Sequence, residues 1–208
     1  MKTTISRLYD RYEDAAAAVN ALVDAGIADE DLSLIVSTVD DRQVPRDIHV
    51  EESDASSGAG TGAGIGGVVG GGAGLLAGLG MLAIPGVGPV VAAGWLAATA
   101  AGALAGAAAG AATGGIIGAL TDSGVSESEA HVYAEGIRRG GSLVTARVEN
   151  ERVGEAVAIL DRHRPVDADA RAAAYRNDGW DGFDSSSKPY TREQVDRERR
   201  LYEAGPRV

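Results

Sequence analysis

The chain has 208 residues, 30 of them glycine, and is 45% hydrophobic but only 4% aromatic, so its apolar mass is alanine, valine and leucine. Its 30 acidic against 19 basic residues give a formal charge of -11, which excludes electrostatic capture of nucleic acid or of anionic lipid headgroups as the basis of function. The absence of cysteine excludes a disulfide framework and thiolate metal sites, and the polar opening from Met1 to Asp14 has no secretory apolar core, so the polar part is expected in the cytoplasm.

In chain order, residues 3–9 (Thr-Thr-Ile-Ser-Arg-Leu-Tyr) read as a strand. Tyr12, Ala16, Val19, Leu22 and Val23 then follow at helical spacing, with Asp10 as the expected cap and Gly26 as the stop, and a second strand runs from Leu32 to Ser37. From Ala55 through Thr121 there is no Asp, Glu, Lys, Arg or His, and this uncharged run holds 21 of the 30 glycines. Beyond it, Ser126-Glu127-Ser128-Glu129 fits a capping box opening a helix that Gly140-Gly141 ends. A strand is expected over residues 143–148, a helix over 151–162 and a short extended piece over 165–168. The tail from Arg171 carries Trp180 and Phe183, expected to dock, and a short helix signal at Thr191-Arg192-Glu193-Gln194.

This order predicts an α+β fold: a split ferredoxin-like βαβ–αβαβ sandwich, residues 1–54 and 122–169, interrupted by a long glycine-rich helical hairpin over 55–121 and followed by an extended arm over 170–208. The hairpin rests on periodicity. Gly58, Gly62, Gly66, Gly70, Gly74 and Gly78 recur at every fourth residue, and Gly94, Ala98, Gly102, Gly106, Gly110, Gly114 and Gly118 resume the pattern after Pro85-Gly86-Val87-Gly88-Pro89. Glycine costs about 1 kcal/mol in a helix interior relative to alanine, so such stripes imply close helix packing or a water-free medium. The glycines from Gly62 to Gly118 are therefore the candidate helix-packing and oligomer seams. Gly64 to Ile84 is 21 residues, about 31 Å of helix and close to the thickness of a bilayer core. Two expectations follow: a hairpin inserted in the cytoplasmic membrane with both termini cytoplasmic, or a cytoplasmic homo-oligomer whose hairpins form a shared helical core.

Residues 3–36, TTISRLYDRYEDAAAAVNALVDAGIADEDLSLIV, together with LLAGLGMLAIPGVGPVVAAGWLAA, SESEAHVYAEGIRRGGSLVTARV and the late GWDGFD, resemble the bacterial general-stress proteins of the YflT, or 17M-like, type. The resemblance implies a stress-associated protein, described as a membrane protein on account of such a hairpin; it carries over no catalytic residue.

Signals for chemistry are weak. Gly62-Ala63-Gly64-Ile65-Gly66-Gly67 satisfies G-x-G-x-x-G, but no strand precedes it and no acidic residue lies about 20 positions on. His49, His131 and His163 stand apart, with His131 expected at the surface and His163 at a helix end; Ser185 to Lys188 spells S-x-x-K in a polar tail; Asp29-Glu30-Asp31, Asp40-Asp41 and Glu51-Glu52 read as solvated loops. Trp95 is expected at a membrane interface or between hairpins. The expectation is a non-enzymatic protein without cofactor or metal, with itself and membrane lipid as partners and no nucleic acid.

Overall fold

A computed structural model describes residues 1–39, 80–84, 86–99 and 115–203. The protein is mixed α+β. Strand β1 (Lys2–Tyr9), helix α1 (Tyr12–Asp24) and strand β2 (Leu32–Ser37) are followed by β3 (Gly80–Ile84) and β4 (Gly88–Gly94). Then come α2 (Gly115–Asp122), α3 (Glu127–Arg138), β5 (Ser142–Glu149), α4 (Val153–Asp161), α5 (Ala168–Asn177) and α6 (Arg192–Glu203). The five strands form one sheet in the order β1-β5-β2-β4-β3, every neighbouring pair antiparallel. β5 lies between β1 and β2, so β1-α1-β2 is a split β-α-β unit.

Alternation along each strand divides the core. Ile5, Leu32, Leu34, Val36, Val144, Ala146 and Val148 face α1 and α4, where Val19, Leu22 and Leu160 are fully buried. Leu8, Ile35, Val90, Ala92 and Leu143 face the other way, against Leu120, Tyr133 and Ile137 of α2 and α3. Both faces are thus covered, and the layers run α–β–α.

The helix ends follow the expected chemistry in three places and depart from it in one. Ser126 caps α3 by accepting from the Glu129 N–H at 3.4 Å. Gly26 and Gly140 stop α1 and α3 at φ +83° and +97°; the Gly141 N–H reaches the Gly136 carbonyl at 2.9 Å and the Gly140 N–H the Ile137 carbonyl at 2.9 Å, the paired bonds of a Schellman end. The capping position of α1 is Arg11, without a side-chain cap. Asp10 is engaged elsewhere.

The expected helical hairpin is corrected where the structure describes it. Residues 80–94 form a β-hairpin, with Gly80 opposite Ala92 and Ile84 opposite Gly88. The Val87 N–H closes the turn onto the Ile84 carbonyl at 3.1 Å. Gly86, Gly88 and Gly94 all have positive φ, which a helix excludes, and Val90 and Val91 of β4 are β-branched residues suited to a sheet. β4 pairs in turn with β2, whose six residues are all buried and need a neighbour on each side. Past β4, residues 95–99 are helical, and Gly118 lies in α2, consistent with the helical expectation at these positions. Gly62, Gly66, Gly70, Gly74, Gly78, Gly102, Gly106, Gly110 and Gly114 lie outside the described residues.

The extended piece expected at 165–168 is not a strand. The Val166 N–H donates to the Leu8 carbonyl at 2.7 Å, after which Asp167 caps α5 through the Ala170 N–H at 2.9 Å. One bond to the β1 edge forms before the chain turns away.

Candidate functional site

The densest polar chemistry lies where the C-terminal arm docks on α3. Glu135, 1% exposed, accepts from Arg138 at 2.5 and 2.8 Å and from Arg139 at 2.6 Å. Arg139 also reaches Glu198 of α6 at 2.7 Å and lies 4.0 Å over the Tyr175 ring. Arg171 of α5 makes a bidentate pair with Asp10, both bonds 2.8 Å, and lies 3.6 Å over the ring of Tyr202. Asp10 is thus committed to the arm. Burial alone would lower the pKa of Arg139, but Glu135 and then Glu198 reverse the effect and hold it above its ordinary value. Arg171 follows the same logic, with burial outweighed mainly by Asp10 and Tyr175. Burial also raises the Tyr175 phenol.

Each buried guanidinium therefore meets a carboxylate and an aromatic face, an arrangement of attachment. The cleft between Asp10, Gly136, Arg139, Arg171, Glu198 and Tyr202 has room for about one water molecule. Val195 is fully buried and packs over Gly140, where an added Cβ would come within 2.3 Å of its Cγ1.

The arm also grips the β3–β4 hairpin. A Cβ at Gly86 would come within 2.6 Å of the Ser185 Cα and 2.7 Å of the Asp184 carbonyl oxygen, and one at Gly88 within 2.7 Å of the Pro189 Cβ. Phe183 packs on the α2–α3 side of the core, and its backbone N–H donates to His131 Nδ1 at 3.0 Å. Trp180 lies edge-on to Tyr175, centroids 5.6 Å apart. The docking expected of Trp180 and Phe183 is seen; the surface placement expected for His131 is corrected, since it anchors the arm backbone. No motif spacing signalled that role.

A second cluster closes the opposite end of the sheet. Asp31, expected in a solvated run, is buried and pairs with Lys2 and, at 3.3 Å, with Arg147. Trp95 lies 4.6 Å under the Arg147 guanidinium and donates from its indole N–H to the Asp31 carbonyl at 3.2 Å. This places Trp95 in the domain, which corrects its expected position at a membrane interface or between hairpins.

Of the candidate seam glycines, Gly94 and Gly118 are described, and they are not brought together. Gly94 abuts β2, where an added Cβ would come within 2.1 Å of the Leu32 carbonyl oxygen, whereas nothing lies within 4 Å of that position at Gly118. The G-x-G-x-x-G segment, His49, Asp40-Asp41 and Glu51-Glu52 lie outside the described residues. Among the described residues, no group of His, Asp or Glu side chains gathers as metal ligands, and no helix is long and apolar enough to cross a membrane. Compared with protein-family models, curated proteins and solved structures, the chain matches none.

Proposed function

We propose that this is a non-enzymatic, stress-associated protein that self-associates through its glycine-rich segments, with a ferredoxin-like module, elaborated by the β3–β4 hairpin and the clamped arm, as their rigid carrier. The observation that carries the reading is the hairpin. Gly80 opposite Ala92 puts the start of β3 and the end of β4 at one end of the sheet, so the described chain enters β3 and leaves β4 on the same side of the domain. Substituting Gly70→Leu or Gly106→Leu blocks backbone approach along the stripes. Light scattering of the purified chain is expected to give a multiple of 21.1 kDa that falls in both variants; unchanged mass in both would refute the glycine seams.

Membrane association is the second reading, favoured by the uncharged run from Ala55 through Thr121. The sheet restricts its form. β2 and β3 belong to one sheet, so the chain between them returns to the side it left. Passage across and back needs about 40 apolar residues, whereas the uncharged stretch 55–79 has 25 (79 − 54) and 100–114 has 15 (114 − 99). The form proposed is insertion from the cytoplasmic face, with both termini on that side. Retention of the full chain by membranes through a carbonate wash, and its loss on deleting 55–79, tests it; complete release of the full chain would rule it out.

A further inference from the structure

We propose that the outer edge of β3 is a docking site for the β3 strand of a second copy of this chain, joining two five-stranded sheets into one. The proposal deepens the self-association reading and rests on it, but uses a seam other than the glycine stripes.

Pro89 fixes which groups point outward. It lacks an N–H, and its carbonyl accepts from the Thr38 N–H at 3.2 Å on the β2 side. The backbone groups of residue 89 therefore face β2, and those of Gly88, Val90 and Ala92 face β3. Through the observed register, Gly80, Leu82 and Ile84 bond to β4, leaving the N–H and C=O of Met81 and Ala83 directed outward. Among the described residues, no strand pairs with this edge.

The two edges of the sheet are treated differently. At β1, the Leu8 carbonyl takes the Val166 N–H at 2.7 Å and the Ser6 carbonyl takes the Tyr133 hydroxyl at 3.2 Å, and Lys2 and Arg7 add charge along the strand. Such devices are how proteins protect an edge from pairing. β3, Gly-Met-Leu-Ala-Ile, carries no charge, no proline and, among the described residues, no covering bond of this kind.

The occupant follows from symmetry and charge. An antiparallel partner centred on Leu82 sets Met81 opposite Ala83 of the second copy and Ala83 opposite its Met81, so that all four outward groups of each strand are used. The strand is thus complementary to itself under a two-fold axis. Two chains of charge -11 repel, and an uncharged strand is where they meet without adjacent like charges. The protected β1 edge stops further addition, which closes the assembly at two copies per seam.

The chain has no cysteine, which gives a clean test. Leu82 and its mate form a non-hydrogen-bonded pair with Cα atoms about 4.5 Å apart, within disulfide range. Full-length Leu82→Cys under mild oxidation is expected to become a disulfide-linked dimer, while Thr4→Cys on the protected edge stays single. Ala83→Pro removes an outward N–H and no β4 bond, and is expected to halve the mass by light scattering with the circular dichroism unchanged. An uncrosslinked Leu82→Cys together with an unchanged mass for Ala83→Pro would overturn the edge while the glycine seams stood. A wild-type monomer at micromolar concentration would overturn both readings.

Discussion

Replacing Gly94 by alanine separates the strand from the helix by sign. Gly94 has φ +88°, and a Cβ built there comes within 2.1 Å of the Leu32 carbonyl oxygen and 2.8 Å of the Ser33 Cα. Both obstacles are backbone atoms of β2, which pairs with β4 over five positions, so relief requires moving a central strand. The unfavourable backbone conformation costs about 1–2 kcal/mol and the overpacking about 1–3 kcal/mol, together about 2–5 kcal/mol against a total stability of roughly 5–15 kcal/mol. Urea unfolding followed by circular dichroism, with the slope held equal between variants, reads the change directly. Gly118→Ala is the internal comparison: Gly118 lies in α2 with nothing near the new Cβ, so that variant gains up to about 1 kcal/mol. Were residue 94 helical and open, Gly94→Ala would gain the same amount. A gain, or a loss within the about 0.5 kcal/mol typical of a neutral surface substitution, would refute the placement of β4.

The arm attachment and the buried phenols give further expectations. Glu135→Ala leaves Arg138 and Arg139 facing one another without their shared carboxylate, and a loss of about 3–5 kcal/mol is expected in urea, whereas a loss below about 1 kcal/mol would show that the cluster is not a clamp. His131→Ala removes the acceptor for the Phe183 N–H and is expected to cost about 1–3 kcal/mol, visible first as faster proteolysis between residues 178 and 191; equal cleavage rates would contradict the anchor. Burial pushes the Tyr133 phenol up to about 12 from 10.0. With the folded value raised, the folded chain holds its proton where the unfolded chain has lost it. The stabilisation is complete below about pH 10 and is lost as the pH rises toward 12, on the order of 3 kcal/mol. Tyr133→Phe should flatten this alkaline limb, and an unchanged limb would count against burial as the cause.

Much of the module was legible because its elements carry unambiguous periods and stops. The spacing of Tyr12, Val19 and Leu22, with Gly26 behind them, specifies α1, and Ser126 with Gly140 brackets α3. The β3–β4 hairpin is not legible in the sequence, because an apolar run flanked by glycines has the same composition whether helical or extended, and the four-residue glycine spacing that runs up to Gly78 resumes at Gly94 on its far side. Two signals pointed the other way. Pro85-Gly86-Val87-Gly88-Pro89 separates two short runs of strand length, and β2 has no polar residue larger than serine on either face, the pattern of a central strand that needs two neighbours. The arm site was legible only in outline. Trp180 and Phe183 announced a docking segment, but that Asp10 would leave its helix for Arg171, and that His131 would hold the Phe183 backbone, depends on pairings between distant parts of the chain.

The position of β5 has a consequence for how the chain is made. β1 and β2 do not touch as neighbours; each waits for β5 to lie between them. β2 ends at Ser37 and β5 at Glu149, so everything between those two positions must be synthesised before the split unit can close. At about 5–20 residues per second over that length, β1 and β2 spend roughly 6–22 s at the ribosome with unpaired edges, while the glycine-rich run emerges behind them. Of the two pairings of β2, only that with β4 can form in the interval, so the hairpin inside the uncharged run is the first partner β2 meets and shields one of its two edges until β5 arrives.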